Sequence, residues 1–196
     1  MPGAAMSERL ARVLEAIDAA NAADPKLEDD GAQARPAALL YGLRMSRELA
    51  RLCPEASETL RIAARGQHIE RWTSPRGDYP AGRAGYLAWR TALGRFHAER
   101  VSGLMRAADY AAADCDRVAA LLRKEAIKRD AEAQMLEDVI CLVFLRWYLD
   151  GFAGTQSTEA LDRIVARTAR KMSAQGRERA AREFDLPASF VPYFAS

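Results

Sequence analysis

The residues best suited to chemistry are concentrated in one stretch of the chain, residues 67–97. It holds both histidines, His68 and His97, together with two of the three tryptophans, two tyrosines and several arginines. Imidazole nitrogens bind metals and move protons near neutral pH, whereas guanidinium groups bind phosphate and carboxylate. This composition predicts a functional site that holds a metal ion, an anion, or both.

The metal hypothesis takes His68 and His97 as nitrogen ligands and Glu125 and Asp138 as oxygen ligands of one divalent ion, whose identity the sequence does not give. A bound divalent ion lowers the pKa of its water toward neutrality, so this site could activate water for hydrolysis. In the alternative interpretation, each histidine only caps or packs against a neighbouring helix. The sequence leaves both interpretations open.

Two charged segments outside this stretch are similarly ambiguous. Glu137 and Asp138 precede the apolar segment VICLVFL, so one of their carboxylates is expected to point inward, where it needs a metal or a partner such as Arg65 or Arg90. Lys124 would either hold an anion or lie on a solvated helix face.

The anion hypothesis rests on the segment TSPRGDYPAGR, residues 73–83, and on the helix that follows it. Its two prolines and two glycines cannot continue a helix, so we expect an ordered loop. Arg76 and Arg90 would bind the anion, and Tyr79 and Tyr86 would offer aromatic faces on which a base or another ring could stack. We therefore hypothesise a lid over a pocket for a small anionic ligand such as a nucleotide.

Helical periodicity predicts that about seven helices position these residues, with no convincing strand. They span about residues 8–23, 36–53, 58–72, 85–107, 111–128, 131–149 and 159–172, with a short piece after Gly176. The fold class expected is all-α, as one compact domain over residues 1–196, with a core at about 7–177 and a C-terminal extension at 178–196.

The composition indicates the cellular environment of the protein and the classes of partner that it is expected to bind. A net charge of +2, from 29 basic and 27 acidic residues, gives no support for wholesale binding of nucleic acid or membranes. The basic residues after position 166 lack interleaved aromatics and are interpreted as a solvated helix face. The charged N-terminal segment and the three widely spaced cysteines are typical of a cytoplasmic protein with reduced thiols.

Helices two and three, with LLYGLRMSRELARLC and ETLRIAARGQHIERW, resemble the opening of the HD-domain superfamily of helical metal-dependent phosphohydrolases. In that superfamily one helix begins with His and the next ends in adjacent His-Asp. Tyr41 takes the position of the first His, and Gln67 and His68 replace His-Asp, so the standard ligands are missing there. HAERVSGLMRAADY resembles a His-led helix that supplies an extra ligand in some members, and Asp138, or Ile140 in another register, matches the final Asp.

The whole chain resembles an uncharacterised family more closely, domain of unknown function 4202. The resemblance rests on the segments LLYGLRMS, AARGQHIERW, SPRGDYPAGRAGYLAWR, FHAER, RKE, QMLEDVICLVFL and RKMSAQG. These segments extend over about residues 7–177. The resemblance implies a shared fold and says little about activity.

The more distant HD resemblance implies an HD-like helical domain that hydrolyses a phosphorylated small molecule or nucleotide. The catalytic residues expected on that basis are Gln67, His68 and Asp138. The metal ligands expected are His68, His97, Glu125 and Asp138. The substrate-binding residues expected are Arg76, Tyr79, Tyr86, Arg90 and Lys124. Two alternatives stay open: a non-catalytic relative that binds an anion, a nucleotide or a partner, and a helical adaptor with an exposed apolar patch. The oligomeric state is not predicted.

Overall fold

Side-chain caps determine where several helices begin. The computed structural model describes residues 7–195. Ser7 accepts a hydrogen bond from the Leu10 N–H at 3.2 Å, and Ser57 accepts one from the Leu60 N–H at 3.1 Å. These serines satisfy backbone donors that a helix leaves unpaired at its first turn. Helix covers 69% of the structure and strand 3%, so the predicted predominance of helices is confirmed.

The described chain divides into two compact units, with the boundary between Glu125 and Ala126. The helices of the first unit are α1 (Glu8–Asn21), α2 (Ala37–Leu52), α3 (Glu58–Gly66), α4 (Gly82–Ala107) and α5 (Ala112–Leu122). The helices of the second unit are α6 (Ala131–Trp147), α7 (Leu149–Ala153), α8 (Thr158–Lys171), α9 (Ala174–Glu183) and α10 (Val191–Phe194). The prediction of one domain stays a prediction.

In the first unit, α5 packs against both α3 and α4, and α3 also packs against α1 and α2. The core includes Leu10, Val13 and Ile17 of α1, which are at most 1% exposed. Their spacing of three and four residues places them on one helix face, as predicted. This packing brings the C-terminal ends of α3 and α5 to the middle of α4.

A short hairpin precedes α2 and was not predicted. Its strands, β1 (Leu27–Asp29) and β2 (Ala34–Pro36), pair antiparallel with Glu28 opposite Arg35. The Asp30 carboxylate accepts hydrogen bonds from the Ala32 and Gln33 N–H groups, both at 2.9 Å, which closes the turn. The sequence signal for this turn is the Asp-Asp-Gly cluster of residues 29–31.

In the second unit, α6 packs against α7, α8 and α9, and α10 packs against α8 and α9. Helix α6 carries the most apolar segment of the chain, and Val139, Leu142 and Val143 are fully buried. Asp130 caps its first turn by accepting from the Ala133 N–H at 2.9 Å. The buried segment agrees with the predicted position of the sixth helix.

Among residues 7–195, no helix combines the length and the apolar character needed to cross a membrane. The three cysteines are free thiols, and Cys115 and Cys141 are buried. The expectation that the chain lacks a secretion signal rests partly on residues 1–6, which lie outside the described residues.

Candidate functional site

A pocket of about 380 Å³ lies in the first unit, where the end of α3, the middle of α4 and the end of α5 meet. Its volume falls within the usual range for small-molecule sites, roughly 300 to 1,000 Å³. The three contributing segments are far apart in the sequence. The site therefore depends on the packing of α3 and α4 against α5.

Helix α4 contributes one of its faces to the pocket. Leu87, Arg90, Gly94 and His97 all line it. Steps of three or four residues place side chains on the same side of a helix, so these four positions form a stripe along α4. Helical spacing alone therefore places Arg90 and His97 on the same face of α4.

The turn after α3 contributes Gln67, His68 and Arg71. Helix α3 ends at Gly66, whereas the sequence predicted a helix to about residue 72. Contacts with two other helices hold the chain out of helical geometry: Glu70 has a left-handed φ of 48°, its N–H donates to Asn21 Oδ1 at 2.9 Å, and its carboxylate binds Arg100. These contacts explain why the helix stops before His68.

The end of α5 contributes Arg123, Lys124 and Glu125. The Glu125 N–H donates to the Ala120 carbonyl and the Lys124 N–H to the Leu121 carbonyl, each at 3.0 Å. This is the Schellman pattern of helix termination, and Lys124 takes the left-handed position, with φ 60°, that glycine usually fills. The helix consequently ends before residue 128, where the sequence had predicted its end.

Positive charge dominates the pocket. Its basic side chains are Arg71, Arg90, Arg95, Arg123 and Lys124, and its acidic side chain is Glu125. The Glu125 carboxylate accepts from Arg123 Nε at 2.6 Å. Within the described residues, no carboxylate forms an ion pair with Arg71, Arg90 or Arg95. Arg71, Arg90 and Arg95 therefore contribute three positive charges that no described carboxylate neutralises through an ion pair.

Both histidines are neutral near pH 7. Burial, followed by the charges of Arg71 and Arg90, lowers the pKa of His97 to about 3. Burial also lowers the pKa of His68 well below its usual value, and Arg71, His97 and Arg90 add to this effect. The ring centroids of the two histidines lie 6.1 Å apart. The pocket thus combines neutral imidazoles with fixed cations.

Two polar atoms of the pocket residues are buried without a hydrogen-bond partner among the described residues. They are Gln67 Oε1 and His97 Nε2, and each residue is 4% exposed. Buried polar groups in native proteins are almost always paired with protein, water or a ligand. Their unmet hydrogen bonds indicate that a ligand or an ordered water completes the pocket.

Of the residues predicted for the site, Gln67, His68, Arg90, His97, Lys124 and Glu125 line this pocket. Arg76, Tyr79 and Tyr86 do not line it. The Arg76 guanidinium donates to the carbonyl oxygens of Tyr79 and Pro80, both at 2.8 Å, and so holds its own loop together. The loop also approaches α4 closely, because a Cβ at Gly85 would lie 1.8 Å from the Pro80 carbonyl oxygen. Tyr86 is 48% exposed.

Asp138 belongs to the second unit, where its carboxylate contacts the start of α9. It accepts hydrogen bonds from the Ser173 N–H at 2.8 Å, the Ser173 hydroxyl at 2.5 Å and Gln134 Nε2 at 3.0 Å. A Cβ at Gly176 would lie 2.8 Å from its carboxyl carbon, so glycine permits this approach. These contacts anchor α9 to α6.

The other buried carboxylate of α6 also has a partner in the second unit. Glu137 forms an ion pair with Lys171 at 3.7 Å. Arg65, which the sequence offered as a partner for these acids, instead pairs with Asp18 at 3.1 Å. The sequence therefore correctly predicted a buried carboxylate in this segment, but its partners are not the arginines that the sequence offered.

Across residues 7–195, no group of three or more His, Cys, Asp or Glu side chains is arranged to hold a metal ion. Glu125 is paired with Arg123, and Asp138 is bonded to Ser173. A divalent cation would also meet the repulsion of Arg71 and Arg90, the charges that already disfavour protonated histidines. As arranged, these side chains do not fit a mononuclear metal centre.

Sequence reasoning missed three of the pocket cations, Arg71, Arg95 and Arg123. Arg71 lies three residues after His68, and Arg123 directly precedes Lys124. The spacing of α4 from Leu87 to His97 is the signal that could have identified its pocket face in advance. Arg71 could not be assigned in this way, because its position depends on the turn after Gly66.

Comparison with known proteins places the chain in a family without providing a biochemical precedent. No curated protein and no solved structure matches it. A family model, in contrast, matches residues 11–192, most of the chain. The chain therefore belongs to the family described as domain of unknown function (DUF4202).

Proposed function

We propose that the pocket of the first unit binds a small phosphorylated molecule. The observation that carries this proposal is the set of three arginines around one cavity, Arg71, Arg90 and Arg95, with which no described carboxylate forms an ion pair. Like charges held together destabilise a fold unless a counter-charge is present. A bound anion supplies that counter-charge.

A phosphate group fits this set better than a carboxylate does. Its charge approaches two at neutral pH, and its three terminal oxygens accept hydrogen bonds from several donors at once. Guanidinium groups match such oxygens as planar forks, and lysine adds a mobile point charge. The volume of about 380 Å³ favours a small molecule over a nucleic acid strand.

The test is titration calorimetry with inorganic phosphate at constant ionic strength, comparing the native protein with two matched variants. Arg90→Gln removes a pocket cation, whereas Arg83→Gln removes an exposed cation two turns earlier on α4. We expect Arg90→Gln to weaken phosphate binding about tenfold or more, because a charge-assisted hydrogen bond contributes roughly 1.5 to 3 kcal/mol. Arg83→Gln should bind as the native protein does.

Two results would contradict the proposal. One is the absence of saturable phosphate binding by the native protein. The other is an equal loss of affinity in Arg90→Gln and Arg83→Gln, which would indicate a general effect of net charge.

A second candidate function is the metal-dependent hydrolysis implied by the HD resemblance. The observation that favours it is the contact between Tyr41 and His68, whose rings stack with centroids 3.9 Å apart. These residues stand at positions where the superfamily carries ligands, and ligands of a shared metal must lie close together. A neutral imidazole at His97, whose Nε2 has no partner among the described residues, would also be the form that binds a metal.

Elemental analysis of the native protein separates this candidate from anion binding alone. It is run beside a double variant, His68→Ala with His97→Ala, which removes the two predicted nitrogen ligands that line the pocket. Stoichiometric metal that the double variant loses would support hydrolysis. No metal in the native protein after reconstitution with divalent ions would contradict it, and phosphate binding would be unaffected by that result.

A further inference from the structure

The polar groups that line the pocket range from exposed cations to deeply buried neutral side chains. Arg95 and Arg123 are charged and exposed, whereas Gln67 and His97 are neutral and 4% exposed. The cations attract an anion from solvent. The neutral groups can only donate or accept hydrogen bonds. A bare anion would engage the cations and leave the neutral groups unsatisfied.

Each of the two unpartnered buried atoms requires a particular kind of hydrogen-bond partner. Gln67 Oε1 is an acceptor and requires a donor, and the terminal oxygens of a phosphate monoester dianion have no hydrogen to donate. His97 Nε2 belongs to a neutral imidazole, which accepts or donates one hydrogen bond according to its tautomer. A hydroxyl group both donates and accepts, so it satisfies either atom.

We infer that the ligand is a phosphate ester of a hydroxyl-bearing compound, such as a polyol or sugar, with its hydroxyls recognised by Gln67 and His97. This inference rests on the proposed function, because the pocket cations hold the phosphate. It adds that the organic part of the ligand is polar and is recognised through hydrogen bonds. The cavity of about 380 Å³ has room for both parts.

The experiment measures the affinity of the native protein for matched pairs of phosphates that differ only in hydroxyl groups. One pair is glycerol 3-phosphate and propyl phosphate; the other is glucose 6-phosphate and (tetrahydropyran-2-yl)methyl phosphate. Inorganic phosphate is the reference. We expect the hydroxylated member of at least one pair to bind about tenfold or more tightly, because a site built around hydrogen bonds rejects analogues that leave its groups unpaired.

Two variants localise the effect. Gln67→Met keeps the length of the side chain and removes the amide, and it should reduce the ratio within the preferred pair to about threefold or less. Arg83→Gln should keep the native ratio. If Gln67→Met fails to fold, as judged by circular dichroism, the affinities of the native protein for the two phosphate pairs still test the inference.

The outcomes separate this inference from the proposed function. Saturable binding of inorganic phosphate with equal affinities within both pairs overturns the inference and leaves the proposed function standing. A preference that survives in Gln67→Met overturns the role of Gln67. No binding of any phosphate overturns both.

Discussion

The ring of Tyr41 lies nearly parallel to the imidazole of His68, with 3.9 Å between centroids and 16° between planes. Arg71 Nη1 contacts the Nε2 atom of the same imidazole at 2.8 Å. A guanidinium has hydrogens to donate and no acceptor, so Nε2 of His68 must be unprotonated. His68 is therefore neutral, with its proton on Nδ1. This conclusion from geometry agrees with the lowered pKa of His68.

The buried histidines should make the protein less stable as the pH falls. His97 has a pKa of about 3 in the folded chain, against a usual value of 6.5. Between these values the unfolded chain binds one more proton, so the free energy of unfolding decreases with decreasing pH. From about pH 7.5 to pH 5.5 we expect His97 alone to lower it by about 1.4 kcal/mol. His68 acts in the same direction.

Urea unfolding at the two pH values measures this dependence. His97→Gln cannot take up the proton, so its stability should change less over the same interval. An identical pH dependence in the native protein and in His97→Gln would show that other groups cause the loss. Above about pH 7.5 the contribution of His97 should be constant.

A pair of substitutions separates the effect of the left-handed Lys124 backbone on stability from the effect of the Lys124 charge on phosphate binding. Both Lys124→Ala and Lys124→Gly remove the cation, but only glycine occupies a φ of 60° without strain. We expect Lys124→Gly to be about 1 kcal/mol more stable than Lys124→Ala in urea unfolding. Both variants should lose phosphate affinity to the same extent. Equal stability of the two variants would contradict the described end of α5.

Arg76 should stabilise the loop of residues 76–82. In Arg76→Ala the carbonyls of Tyr79 and Pro80 lose their donor, and we expect faster amide exchange across residues 76–82, measured by hydrogen–deuterium exchange mass spectrometry. The loop is largely exposed, so water replaces the guanidinium and the global stability should fall by about 1 kcal/mol or less. Loss of phosphate binding without a change in loop exchange would instead assign Arg76 to the anion, as the sequence predicted.

Asp138 should be important for the stability of the second unit. Asp138→Ala leaves the Ser173 N–H and hydroxyl without their buried partner, and we expect the free energy of unfolding to fall by about 3 kcal/mol. Asp138→Asn keeps one carbonyl acceptor and should cost less. The measurement is chemical denaturation followed by circular dichroism. Loss of a bound metal in Asp138→Asn at unchanged stability would favour the predicted ligand role instead.

About half of the candidate site could be predicted from the sequence. His68 and His97 were identified because they are the two histidines of the chain, and Arg90 because it lies in the same short stretch; helical spacing places Arg90 and His97 on one face of α4. Arg71 was missed because the turn that positions it depends on Asn21 of α1 and Arg100 of α4. Such contacts join residues far apart in the chain, and local periodicity contains no information about them.

The sequence alone determined the helical class and many of the helix starts. Ser7, Ser57 and Asp130 each cap a first turn within three residues, an interaction that needs no other part of the chain. The tertiary structure decided where α3 ends, which residues share the pocket and how Asp138 is bonded. The physical reason is that these features depend on burial and on partners distant in sequence, which form only when the helices pack.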